Sequence, residues 1–378
     1  MSTTRVSTFA MHNTYVSNIM KGQSRLNDAE TQVTTEMKSQ TYSGLGSAVF
    51  RLVNMENQRA ETQHYMDANT AVELRLNMTQ NSLTAISATA KDFKSRLTTY
   101  QQNNTGKTNQ VPDQSSTDNI QQWAWDALQQ MKDYLNTQAD GQYIFAGAKT
   151  QTKPVTLGDP AGNTFSTLED FQSYYTGVVA PPATDAYPTT RDANLGTGYY
   201  HGDNQKLSYR IDKDRELQTG ISATDPAFEK AMRAMAMIAQ GPQSGAGPAS
   251  GLSADTSQMT AAQSTEWKER VEQAMWLIGD AMDADTTKRT SGVASYPNAE
   301  NPSDLSSLGL VTGYNQNILK DTATTQTNSI SFLNTQCDGI EKADTAEAAV
   351  RMQDEKRALE ASYAAISMVK DLSLVKYM

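Results

Sequence analysis

The chain is expected to be mainly α: an elongated rod of long antiparallel helices, with a β-rich domain inserted in the middle and both termini at one end. Three observations predict this. Apolar residues recur at helical spacing over both ends of the 378 residues, and a turn-rich, alternating stretch interrupts them in the middle. The composition, 38% apolar, 20% charged and only 7% aromatic, suits long, partly polar helices better than a thick globular core.

The first segment, 1–43, carries Phe9 and Val16 seven apart and a second seven-residue series of Ile19, Leu26 and Val33, together a narrow stripe on an otherwise polar helix. Such a helix buries too little to stand alone and needs a partner along its length. The segment 44–150 gives the cleanest pattern. Val72, Leu76, Thr79, Leu83, Ile86, Ala90, Phe93, Leu97 and Tyr100 alternate spacings of four and three, which predicts a long helix from about Ala60 to Gln102. Asn103 to Lys107 break it. A second helix is expected to follow, capped by Ser116, Thr117 or Asp118, with Ile120, Ala124, Leu128, Met131 and Leu135 on one face and Ala139-Asp140-Gly141 at its end. The two can fold back as an antiparallel hairpin.

The segment 151–254 changes texture. Gly158-Asp159-Pro160, Pro181-Pro182 and Gly196-Thr197-Gly198 punctuate short alternating runs such as Lys206 to Ile211, the pattern of a small β-containing domain. Asp225-Pro226 then opens a helix with Phe228, Met232, Met235 and Ile238 inward, and Gly241 to Gly251 reads as a linker. In 255–342, Trp267, Val271, Ala274 or Met275, and Ile278 are expected to share one face of a helix from about Thr260 to Met282. A last helical region runs from about Ser303, interrupted near Asp338-Gly339, into the terminal segment 343–378. There Met352, Leu359 and Ile366 are seven apart, flanked by Tyr363 and Val369. Seams at both ends, each without an apolar partner nearby in sequence, most economically bury against each other.

Bulk properties exclude several function classes. A net charge of −10 and a pI near 4.9, with no basic tail, leave no Lys/Arg stripe to neutralise phosphates, so nucleic acid is not an expected partner. Mean hydropathy is −0.60 and no run approaches the roughly 18 apolar residues of a membrane span. Met1 to Ser7 lack the pattern of a cleavable signal peptide, so the expectation is retention or export by a route that removes nothing. The one cysteine, Cys337, cannot form an intrachain disulfide and reads as a small packed residue.

Chemistry-bearing constellations are missing. His12, His64 and His201 lie in separate segments without a second ligand at helical spacing, which argues against zinc. Gly44-Leu45-Gly46 lacks the third glycine of a phosphate cradle. Asp280 to Asp285 lack the glycine and distal glutamate of a calcium loop and read as a solvated helix end. No serine has a nucleophile elbow around it. Met232, Met235 and Met237 read as packing, and Trp123 and Trp125 as core or subunit contact. No catalytic, cofactor or metal residue is assigned, and no enzyme is expected.

Ala139 to Thr150, which read Ala-Asp-Gly-Gln-Tyr-Ile-Phe-Ala-Gly-Ala-Lys-Thr, resemble the segment that ends the second helix in the hook-associated protein 3 family of the flagellin superfamily, the hook-filament junction proteins. Tyr199 to Asp203 followed by Ile211-Asp212, the helix from Phe228 to Ile238, and the ending Leu372 to Met378 fit the same plan. Val33 to Gly46 depart from the flagellin pattern in lacking its paired aspartates, which points away from bulk filament flagellin.

The resemblance implies a flagellin-like rod and a structural adaptor between hook and filament, extracellular, and exported unfolded through the flagellar type III channel. It also implies copies of itself in a ring, a neighbouring hook-associated protein, flagellin, and an export chaperone on the C-terminal helix as partners. On that reading the subunit-packing residues are Phe9, Val16, Ile19, Leu26 and Val33 at one end and Met352, Leu359, Tyr363, Ile366 and Val369 at the other. Two other classes stay open: a filament flagellin or flagellin-like surface glycan-binding protein, and a cytosolic coiled-coil scaffold.

Overall fold

The computed structural model describes residues 8–105, 111–158, 164–172, 199–241, 256–284 and 303–375. It is mainly α, with short antiparallel sheets. The helices are α1 (Thr8–Thr35), α2 (Val49–Thr105), α3 (Gln114–Leu135), α4 (Pro226–Ala239), α5 (Ala261–Met282), α6 (Leu305–Glu341) and α7 (Thr345–Val375). The strands are β1 (Gln138–Ala139), β2 (Gln142–Tyr143), β3 (Leu207–Asp212) and β4 (Arg215–Thr219). Contacts divide the chain into two compact units, residues 1–64 with 325–378, and residues 65–324.

In the unit of residues 65–324, all nine positions of the predicted α2 seam, from Val72 to Tyr100, are buried. α3 folds back along α2: Tyr100 Oη lies 2.9 Å from Thr117 Oγ1, the Arg96 guanidinium sits 4.3 Å from the Trp123 ring centre, and Thr89 reaches Gln130. The cap of α3 is Asp113, whose carboxylate accepts the Ser116 N–H at 2.9 Å, so the helix begins a few residues before the expected Ser116 to Asp118 caps. It also ends at Leu135, before Asp140-Gly141. Those two residues, at φ 51° and 71°, form the two-residue turn of the β1–β2 hairpin, where both central positions need positive φ.

α4 starts as its sequence predicts, with Asp225 accepting the Ala227 N–H and Pro226 in the first turn. It is buried on every side, including Glu229, Lys230 and Arg233. Lys230 pairs with Asp280 of α5 at 2.6 Å and Arg233 with Glu229 at 3.0 Å, so the charges enter the interior as pairs. Asp280 is therefore not the solvated helix end that its acidic neighbourhood suggests. Phe228 meets Phe145 edge-on at 5.7 Å, and Trp267 of α5 donates its indole N–H to Tyr100 Oη at 2.8 Å. The β3–β4 hairpin turns Ile211 and Leu217 onto Val72 and Leu76 of α2 and Leu319 of α6.

Among the described residues of 151–254, strand structure is that hairpin plus the isolated bridges Val155–Tyr200 and Gly158–Thr164. Asp159-Pro160, Pro181-Pro182, Gly196 to Gly198 and most of the Gly241 to Gly251 linker lie outside the described residues. Two boundaries differ from expectation. α2 begins at Val49 rather than near Ala60, and α6 runs through Asp338-Gly339 to Glu341. Cys337 is 1% exposed, packed with Leu52, Met55 and Leu333. That burial raises the pKa of its thiol.

Candidate assembly interface

The unit of residues 1–64 and 325–378 contains both end helices, which pack against each other antiparallel. Its geometry follows from spacing. On α1, Tyr15, Ile19, Gly22, Leu26, Ala29 and Val33 are covered or half-covered; on α7 the same is true of Ala348, Met352, Glu355, Leu359, Ser362 and Ile366. Both runs step by four and three, the spacing that keeps one face toward a partner. Half of the α1 seam is the expected series Ile19, Leu26 and Val33. The other half is Tyr15, Gly22 and Ala29, and the expected Val16 is 38% exposed, off the seam.

The two helices come close together at Gly22. A Cβ at this position would meet Leu359 Cδ2 at 3.0 Å, so the leucine fills the place a side chain would take. Among the described side chains of the pair, Leu359 is the one large residue that is buried, at 7% exposure. Around it, Gln23 donates to Tyr363 Oη at 2.8 Å, and Arg25 makes a fork to Glu355 at 2.6 and 3.1 Å. The Arg25 hydrogen bonds hold the Glu355 carboxyl below the usual carboxylate range and raise the guanidinium in turn. Tyr363, with its ring 49% exposed, borders the seam; the side chains of Phe9 and Val369 lie outside the described residues.

Below this pair both chain segments leave the helical path at one level. Lys38 N–H donates to Glu341 O at 2.7 Å and Ala343 N–H to Glu36 O at 2.9 Å, with Glu36 at φ 59°. Lys38 Nζ adds a bond to Gly339 O at 2.8 Å. These bonds clasp the base of the α1–α7 pair.

Energetically the pair is poor. Among the described side chains of α1 and α7, Gly22, Ala29, Ala348 and Leu359 are buried, and eight apolar residues are half-buried. That burial is worth on the order of 5–10 kcal/mol. The helices have 28 and 31 residues, and ordering a residue costs roughly 1–2 kcal/mol of backbone entropy. Meanwhile the outward faces show Met20 at 65%, Val350 at 59% and Met368 at 66% exposure. The seam is thin and apolar groups are left on the outside, the arrangement of an element completed by neighbours.

Among the described residues there is no cluster of three metal-ligating side chains, and no helix is long and apolar enough to cross a membrane. Residues 302–378, which include α6 and α7, match the model of the bacterial flagellin C-terminal helical region. No curated protein matches the chain. Among solved structures, a candidate flagellar hook-associated protein from Vibrio parahaemolyticus is similar at 10% identity, over 78% of this chain and 97% of its own, with a TM-score of 0.44. FlgL of Bacillus cereus is similar at 11% identity, over 76% and 98%, with a TM-score of 0.43. Residues 302–378 are therefore similar to a flagellin-type C-terminal helical region.

Proposed function

We propose that this protein is a structural subunit of the bacterial flagellum, built into it by packing of α1 and α7 on neighbouring copies, and that its place is the adaptor between hook and filament. The observation that carries the reading is the thin α1–α7 seam with Met20, Val350 and Met368 exposed outside it, α7 lying in the segment that matches the flagellin C-terminal region. Assembly is then coupled folding. The entropy lost on ordering the ends is offset by burying, against other copies, the apolar surface that a single copy cannot cover.

The adaptor role comes with a ring of copies, flagellin on one side, another hook-associated protein on the other, and a chaperone on the C-terminal helix before export. Removing the gene from its source bacterium tests the placement. The expected outcome is cells with hooks, no filament, and flagellin shed into the medium, with gold-labelled antibody to the restored protein confined to one band at the base of each filament. Label along the whole filament would instead identify a filament flagellin, and label confined to the cytoplasm would overturn the flagellar reading altogether.

A further inference from the structure

The clasp at the base of the α1–α7 pair interrupts helix order on both chain segments at one level. α1 ends at Thr35 and α6 at Glu341, and α7 starts afresh at Thr345. Helix formation is cooperative along a continuous hydrogen-bond ladder, so a break in the ladder is also a break in cooperativity. Both helix ends at the α6–α7 break are satisfied locally. The α6 carbonyls of Gly339 and Glu341 accept the Lys38 ammonium at 2.8 Å and the Lys38 N–H at 2.7 Å. α7 has its own cap, the Asp344 carboxylate, which accepts the Ala346 and Glu347 N–H groups at 2.9 and 3.1 Å. Neither helix needs the other to close its end.

Packing changes at the same level. On the side of α1 and α7, Leu359 is the one large buried residue among the described side chains. On the other side, Leu52, Met55, Leu333 and Cys337 form a buried cluster, with Leu45 and Ile340 packed against it. Burial is the main favourable term in folding, so local stability should step at the clasp rather than fade along the helices. The clasp also shortens a long connection. Gln23 and Tyr363, which bond across the pair, are 340 residues apart in sequence, but through the clasp roughly thirty residues of chain separate them, and a shorter loop closes at lower entropic cost.

We propose that the clasp is a built-in boundary of local unfolding. α1 and α7 melt and reform together as one unit on one side of it. On the other side the Leu52 cluster stays folded, and the bonds of Lys38 to Glu341 and of Ala343 to Glu36 hold the two chain segments side by side, ready to pair. Glu36 sits in the left-handed region at φ 59°, where a residue with a side chain stays only if its surroundings hold it. Here they do so through the Ala343 N–H, which donates to the Glu36 carbonyl at 2.9 Å. Resting on the coupled-folding reading above, the boundary fixes where that ordering transition stops. It is a property of the free monomer, so it can fail while assembly on neighbouring copies stands, and the reverse.

The test is amide exchange on the full-length monomer, for the wild type, Lys38→Pro and Glu36→Gly. In the wild type, 13–32 and 348–370 should exchange at one common rate, about tenfold or more faster than 49–55 and 329–341, with the step at the clasp. Proline has no N–H to give Glu341, and Met37, in an antiparallel bridge to Lys342, has the extended backbone that suits the residue before a proline. Losing that bond should speed exchange in 336–343 about tenfold. Glycine at 36 adopts the left-handed backbone freely and should slow exchange of the Ala343 amide about threefold or more. Equal rates in the ends and in 49–55 and 329–341 overturn the proposal, as does a smooth gradient along α1 and α7 with no step. Unchanged exchange of 336–343 in Lys38→Pro overturns it too. So does an Ala343 amide in Glu36→Gly no slower than in the wild type, which decides the matter alone should Lys38→Pro fail to fold. A step that stands in a protein found outside the flagellum would remove the adaptor reading and leave the boundary.

Discussion

Leu359→Asp is the sharpest test of the end-helix pair. The substitution removes the one large buried side chain of the seam, worth about 2–3 kcal/mol of apolar transfer. It also places a carboxylate one turn from Glu355, a like-charge pair that costs a few tenths of a kcal/mol on a helix. One compensation is available. Arg25 Nη2 lies within 3.9 Å of where a Gly22 side chain would be, so the new carboxylate can compete for it, though only by loosening the Arg25–Glu355 fork. The net loss is about 3 kcal/mol, which reduces the population of a formed pair about 100-fold. Amide exchange on the full chain reads this by segment. In the wild-type monomer, residues 8–35 and 345–375 should be less protected than 83–100, and should gain protection on assembly. In the variant that gain should vanish, with the α2 seam unchanged. Normal assembly of Leu359→Asp, with full protection of both ends, would refute the assignment of this face.

Three further outcomes follow from the unit of residues 65–324. Lys230→Met takes the paired ammonium away from the buried Asp280 carboxylate and should cost about 3–5 kcal/mol in urea unfolding; adding Asp280→Leu should recover most of it. Gly147→Ala should destabilise by about 2 kcal/mol or more, read as a lowered Tm, because φ is 68° and the new Cβ would lie 2.2 Å from Asp203 Oδ1. Asp304 caps α6. Its burial raises the carboxyl pKa, but the N–H groups of Ser307 and Ala284, with Lys230 nearby, outweigh that and hold it below the ordinary value. A depressed folded-state pKa means the stabilisation is present above the unfolded-state value, near pH 4, and is lost as pH falls through the folded-state value. Asp304→Asn should therefore lower stability at pH 7 and flatten its fall below about pH 4.

The interior of the 65–324 unit was legible because its signal is long and made of large residues. The α2 seam repeats over four heptads, and every position of it is buried. α4 was half legible. Phe228, Met232, Met235 and Ile238 announced one face, but the burial of Glu229, Lys230 and Arg233 on the others had no such signal, because periodicity of apolar residues places no charge inside. Their partners are Glu229 and Arg233 to each other within α4, and Asp280 about fifty residues on, and no local pattern announces that Asp280 comes inside. The Asp140-Gly141 pair was placed at the end of a helix although the same dipeptide is the strongest short hairpin signal. Its flanking strands are two residues each, too short for alternation to show.

The end helices were legible only in part because a third of their seam is small. Gly22 and Ala29 carry no hydrophobic signal, so the stripe was completed with Phe9 and Val16, and Val16 is off the seam. Glycines in these helices become informative only through what stands over them. Gly22 has Leu359 above it, and the intrachain contact accounts for its size. Gly309 and Gly313 have nothing above them, so no intrachain contact accounts for their size. Substituting large residues for these glycines should therefore act in opposite senses, lowering stability at Gly22 and raising it at Gly309 and Gly313.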